Sequence, residues 1–213
     1  MFAVNFRSVA RFYLAISVLL IVASLLEIPS LQELTQLKLP SDMPAMQSDG
    51  IARSVVRFKV LMSFVAPIYY LALVLAEGVV LWAVFTTITG TTIRVSASCA
   101  ASIHLFALVV LGRLTHSLVM LGQLLVGMLD KMPRYPLGLT FVADSRSVSP
   151  VVAAILANSD IFTVTYVMLL PVLYRKLFGC RWLTSVVVCL VLSAAWLYLR
   201  GVWAVLSMNL VTQ

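Results

Sequence analysis

Residues 60–87 read VLMSFVAPIYYLALVLAEGVVLWAVFTT, 28 positions with one charged residue, Glu77. A helix crosses a hydrocarbon core of about 30 Å with roughly 20 apolar residues, so this stretch reads as a membrane span with length to spare. Its polar exceptions are ordered. Ser63, Pro67, Tyr70 and Glu77 fall on one helical face, giving the span a stripe directed at neighbouring helices.

Four further apolar runs surround it, at about 12–28, 95–128, 151–178 and 182–203. The expectation is an all-α polytopic transmembrane helix bundle, one domain over 1–213, with about five spans and broken or kinked helices. Composition agrees. With 62% hydrophobic and 11% charged residues, the chain carries far less charge than the roughly 25% of a soluble domain and leaves no room for a soluble catalytic one.

Spans 60–87 and 95–128 would be roughly 40 to 50 Å long as continuous helices, so each must tilt, protrude or break. Gly112-Arg113 is the expected break in the latter. Asn158-Ser159-Asp160 divides the next run into a short helix to Ala157 and a crossing from Ile161 to Phe178, which Pro171 should kink. Trp182 and Trp203 bracket the last span at about 31 Å, matching the interfacial belts, with Arg200 free to snorkel.

The first span fits two readings. Arg7 and Arg11 before an apolar run, with Val22-Ala23-Ser24 after it, also suit a signal peptide, whereas Leu25, Leu26 and Ile28 continue the run past that cut. Beyond it, Pro29, Pro40, Pro44 and Gly50 mark a polar connector over 29–50. The spacing of Leu31, Leu34 and Leu37 permits a short amphipathic turn there. In 51–59, Ile51, Val55 and Phe58 share a face apart from Arg53, Arg57 and Lys59, as in a headgroup-layer helix leading into the second span. The connector 130–149 holds Pro133, Pro136, Gly138 and several charges.

The net charge of +7 is spread thinly along the loops without a basic, aromatic-interleaved stripe. It suits a bilayer with anionic headgroups and speaks against nucleic acid. Orientation follows from Lys and Arg in alternate loops. Arg7, Arg11, Arg94, Arg175, Lys176 and Arg181 fall on one side in short segments without an acid. Lys38, Arg53, Arg57, Lys59, Lys131, Arg134 and Arg146 fall on the other, diluted by Glu33, Asp42, Asp49, Asp130 and Asp144. The first set is assigned to the cytoplasm, and with it the N-terminus.

Ionisable groups within apolar spans are costly, so each raises a functional hypothesis. The candidates are Glu77, His104, Arg113, His116 and Asp160. On one reading Glu77 and Asp160 bind a cation or relay a proton, with His104 or His116 as partners. On the other, Glu77 pairs with Arg113 or a histidine across the bundle, and Asp160 caps a helix. Gly112, His116, Gln123 and Gly127 form a second stripe.

The sequence contains no H-E-x-x-H, G-x-S-x-G or phosphate-cradling glycine loop, and two histidines twelve residues apart on one span do not suit zinc. Cys99, Cys180 and Cys189 show no C-x-x-C spacing. No cofactor, metal or catalytic residue is expected.

The segment Ile155-Leu156-Ala157-Asn158-Ser159-Asp160-Ile161-Phe162-Thr163-Val164, followed by a crossing, a basic turn at Arg175 to Arg181 and a last span, resembles the C-terminal half of bacterial members of the Yip family, relatives of Rab-interacting proteins. The resemblance covers 150–204 best and 60–128 more faintly. It implies a five-helix bundle with a cytoplasmic N-terminus. The Asp-Leu-Tyr-Gly-Pro motif of the eukaryotic relatives has no counterpart here, so Rab contact is not carried over.

The functional expectation is therefore a non-enzymatic protein of a bacterial cytoplasmic (inner) membrane with a scaffold, assembly or lipid-organising role, working with a protein partner or as a homo-oligomer. The alternative is a small transporter or channel subunit using Glu77 and Asp160.

Overall fold

The computed structural model describes residues 6–38, 44–127 and 149–211. Among them every regular element is a helix: α1 (Phe6–Leu26), α2 (Ile28–Lys38), α3 (Ala45–Thr89), α4 (Val95–Leu125), α5 (Pro150–Asn158), α6 (Ile161–Phe178) and α7 (Trp182–Val211). Expectations resting on 39–43, on 128–148 or on the side chains of Arg200 and Trp203 lie outside the described residues.

Five stretches are long and apolar enough to cross a membrane: Arg7–Glu33, Gln47–Thr89, Val95–Leu125, Ile161–Phe178 and Trp182–Leu199. Among the described residues the chain is an all-α bundle with five membrane-length helices. Its outer surface is correspondingly oily, with Leu14, Phe58, Leu61, Ile68, Met168, Leu183 and Leu199 all exposed.

Helix boundaries follow local chemistry. α1 stops at Glu27, whose carbonyl accepts from Leu31 N at 2.9 Å and so opens α2. Pro29, lacking an N–H, sits in the first turn of α2, where no intrahelical partner is needed. The connector expected from residue 29 is thus helical as far as Lys38. α3 starts after Pro44 and ends at Gly90, whose φ of 65° makes a left-handed cap.

Within α3 the stretch 51–59 continues directly into the span, giving 45 residues or about 68 Å. Pro67 leaves the carbonyl of Ser63 without its usual helical donor. The helix continues nonetheless, and Tyr13 of α1 donates its hydroxyl to the Pro67 carbonyl, tying the two helices at that level.

The break expected at Gly112-Arg113 is absent, since α4 runs unbroken through it. Gly112 serves a different purpose. A Cβ there would lie 2.7 Å from Asp160 Oδ2 and 3.0 Å from Phe162 Cβ, so the missing side chain lets the start of α6 approach α4. The interruption at Ser159-Asp160 is present as read. The Asp160 carboxylate accepts from Thr163 N at 2.7 Å and from Thr163 Oγ1 at 2.8 Å, a side-chain N-cap for α6. α6 then passes through Pro171 and ends at Gly179, with φ of 63°.

α4 is the central helix, packed against α1, α2, α3 and α6, while α7 covers α6 and α5. Two apolar clusters result. One joins Ile16, Leu20, Val74, Ile103, Phe106 and Val110 of α1, α3 and α4. The other stacks Phe85, Tyr174 and Phe178, with Leu81, Leu170 and Cys189 around them. Between the clusters Ser98, fully buried, donates to the Gly78 carbonyl at 2.7 Å and meets Tyr174 Oη at 2.8 Å.

α6 has 18 residues, about 27 Å, close to the hydrocarbon thickness. Its start lies against Gly112 and its last turns against Ser98. The parts of α4 after Gly112 and of α3 before Lys59 therefore extend past the level where α6 begins.

Close approach of α3 and α4 depends on Gly78, where a Cβ would stand 2.8 Å from Cys99 Cα. Gly78→Ala is expected to cost about 1–3 kcal/mol of stability in detergent. Gly122→Ala, facing open space, should leave stability unchanged or raise it by up to about 1 kcal/mol. Thermal unfolding of the two variants checks the pair.

Candidate functional site

A highly connected polar group among the described residues is Glu27, at the elbow between α1 and α2. Sequence reading passed over it, because it stood at the end of an apolar run beside a polar connector. Its Oε2 accepts from Lys59 Nζ of α3 at 2.6 Å and from Arg113 Nη2 of α4 at 3.1 Å. Its Oε1 accepts from Ser117 Oγ at 3.0 Å. One carboxylate thus binds three helices.

The surroundings make this pairing necessary. The Glu27 side chain is only 14% exposed, and a lone carboxylate at that burial would carry a desolvation penalty of several kcal/mol. Lys59 is 21% exposed and Arg113 38%, so the cations grade from shielded to accessible. One turn along α2, buried Ser30 donates to the Met120 carbonyl at 3.1 Å and pins the elbow to α4.

Of the candidates read from the sequence, Arg113, His116 and Asp160 come to this level of the bundle. His116 stands within electrostatic reach of Glu27, Arg113, Asp160 and Lys59. Asp160 faces Gly112, the residue before Arg113 on α4, with one oxygen committed to Thr163.

Glu77 and His104 are elsewhere. Eighteen residues, about 27 Å, separate Lys59 from Glu77 along α3. Glu77 does not pair with Arg113 or a histidine: it accepts from the Tyr166 hydroxyl of α6 at 2.5 Å. Tyr166 is buried, and its phenol is long enough to cross from α6. His104 is exposed, stacks on Phe12 of α1 at 4.7 Å between centroids, and directs Nδ1 to the Ala100 carbonyl at 2.7 Å. The acid and the histidine thus face different neighbours.

Beside Lys59 and Arg113 lies a groove of about 260 Å³ between α1, α3 and α4. Leu20 and Ser24 of α1 and Met62, Ser63, Val65, Ala66, Tyr69 and Tyr70 of α3 line the rest of it. No carboxylate is among its lining residues. A second pocket, at the α6–α7 turn, is bounded by Arg175, Lys176, Cys180 and Trp182, with the Arg175 guanidinium 5.8 Å from the Trp182 ring. Among the described residues no three His, Cys, Asp or Glu side chains gather as a metal site would require.

Comparison of the chain with protein-family models, curated proteins and solved structures finds no match.

Removing the negative charge at Glu27 leaves two partly shielded cations facing each other. Glu27→Gln is expected to cost about 2–3 kcal/mol, less than the 3–5 of a fully buried pair because Arg113 can turn toward water. Glu77→Gln keeps an oxygen for Tyr166 and should cost under about 1 kcal/mol. Denaturant unfolding in mixed micelles ranks the two; the reverse order would shift the structural role to Glu77.

Proposed function

We propose that the protein is a non-enzymatic, multi-span component of a bacterial cytoplasmic membrane, similar to the Yip family, that organises lipid or protein partners around its helices. The observation that carries this reading is the commitment of the interior acids to bracing. Glu27 holds three helices, Glu77 holds α6 to α3, and Asp160 caps α6. A conduction path needs such groups to succeed one another across the membrane. Here Glu77 stands about 27 Å from the Glu27 level along α3 and faces a different neighbour.

An enzyme acting on lipid would bring a base and a nucleophile or metal within hydrogen-bond reach of one another. Glu77 and the two histidines do not converge in that way, which favours a binding or scaffolding role. Proposed orientation follows the exposed cations Arg7, Arg11, Arg94, Arg175, Lys176 and Arg181. They belong to the start of α1, the α3–α4 turn and the α6–α7 turn, short segments without an acidic residue, and on that ground this end is proposed as the cytoplasmic one.

Liposomes containing the purified protein test the reading. No proton or monovalent cation flux above that of empty liposomes is expected. Glu77→Gln and Asp160→Asn should alter thermal stability alone. Flux that either substitution abolishes, with the fold preserved, would establish a transporter and end the scaffold reading.

A further inference from the structure

We propose that the groove beside Lys59 and Arg113 is a binding site for one anionic phospholipid, its phosphate held by the two cations and one acyl chain lying along α3. The proposal rests on the reading of the chain as a lipid-organising membrane protein and gives that role a specific place.

The charged end has donors to spare. A guanidinium carries five N–H groups and an ammonium three. Glu27 takes one from Arg113 and one from Lys59, in bonds of 3.1 and 2.6 Å, and leaves the trio with a net positive charge. Its carboxylate acts as a clamp that fixes both cations on the groove wall rather than as an occupant, since it is absent from the lining. Asp160, the other acid near this level, faces Gly112, commits one oxygen to Thr163 and does not line the groove.

The rest of the groove has the shape of an amphiphile. From Lys59 it follows Met62, Ser63, Val65 and Ala66 to Tyr69 and Tyr70, about 15 Å along the helix. Tyr70 packs on Phe106 at 5.4 Å between centroids, six residues before the Gly112 level where α6 begins. The cations therefore stand near the headgroup layer and the apolar walls descend into the hydrocarbon. Free phosphate would use only the first part; a phospholipid uses both.

Native mass spectrometry of the protein released from nanodiscs of equal phosphatidylglycerol and phosphatidylcholine reads occupancy. Wild type should retain one phosphatidylglycerol with about tenfold preference, the change that 1.4 kcal/mol of charge complementarity produces. Arg113→Gln should reduce the preference at least severalfold. Val65→Trp, which fills the apolar groove and leaves the charges in place, should abolish retention while thermal unfolding is unchanged. Millimolar inorganic phosphate should not displace the lipid.

Equal retention of the two lipids, undiminished retention in Val65→Trp, or displacement by inorganic phosphate would overturn the site. Such a result together with absent ion flux would retire the groove alone, whereas flux would retire the scaffold reading itself.

Discussion

A carboxylate buried among packed helices cannot be left unpaired, and Glu27 meets that constraint by drawing a cation from each of two other helices. The consequence is a fixed height. Once Lys59 and Arg113 are at Glu27, α3 and α4 are in antiparallel register, and a second polar meeting along them, Ser98 with Gly78, occurs nineteen residues from Lys59 on α3 and fifteen from Arg113 on α4. Ser117, which also binds Glu27, lies nineteen residues after Ser98, as Gly78 lies nineteen after Lys59. A slip by one turn would separate both pairs at once.

The remaining helices attach to this frame through small residues. Gly112 admits the start of α6, and buried Ser185 of α7 donates to the Pro171 carbonyl at 2.6 Å, much as Gly78 lets the two frame helices close on each other. In lipid there is little hydrophobic drive between helices, so close packing and interhelical hydrogen bonds must supply the association. Tyr166 and Tyr174 extend this pattern, each carrying a hydroxyl across a gap that a shorter side chain could not span.

Much of this was legible where the determinant is local. The apolar run 161–178, the Asp160 cap and the turn at Gly179 are written in neighbouring residues, and each is found as read. What escaped is long-range. Glu27 finds its partners 32, 86 and 90 positions away, and nothing in Leu25-Leu26-Glu27-Ile28 says which cations those are. A signal was present nonetheless, for Glu27 is an acid inside an apolar run, as Glu77 is. Gly112 was misread for a related reason: a glycine in a helix marks either a break or a close approach, and only the position of Asp160 and Phe162 decides between them.

The central claim is that Glu27 and its cations act as one unit rather than as neighbouring surface charges. A double-mutant cycle with Glu27→Gln and Lys59→Met, read by unfolding free energy in mixed micelles, tests it most directly. The account predicts a coupling energy of at least about 1 kcal/mol, with the double variant more stable than the sum of the single losses implies. Additive losses would contradict it, and would reduce the pair to a contact on which the register of α3 and α4 does not depend.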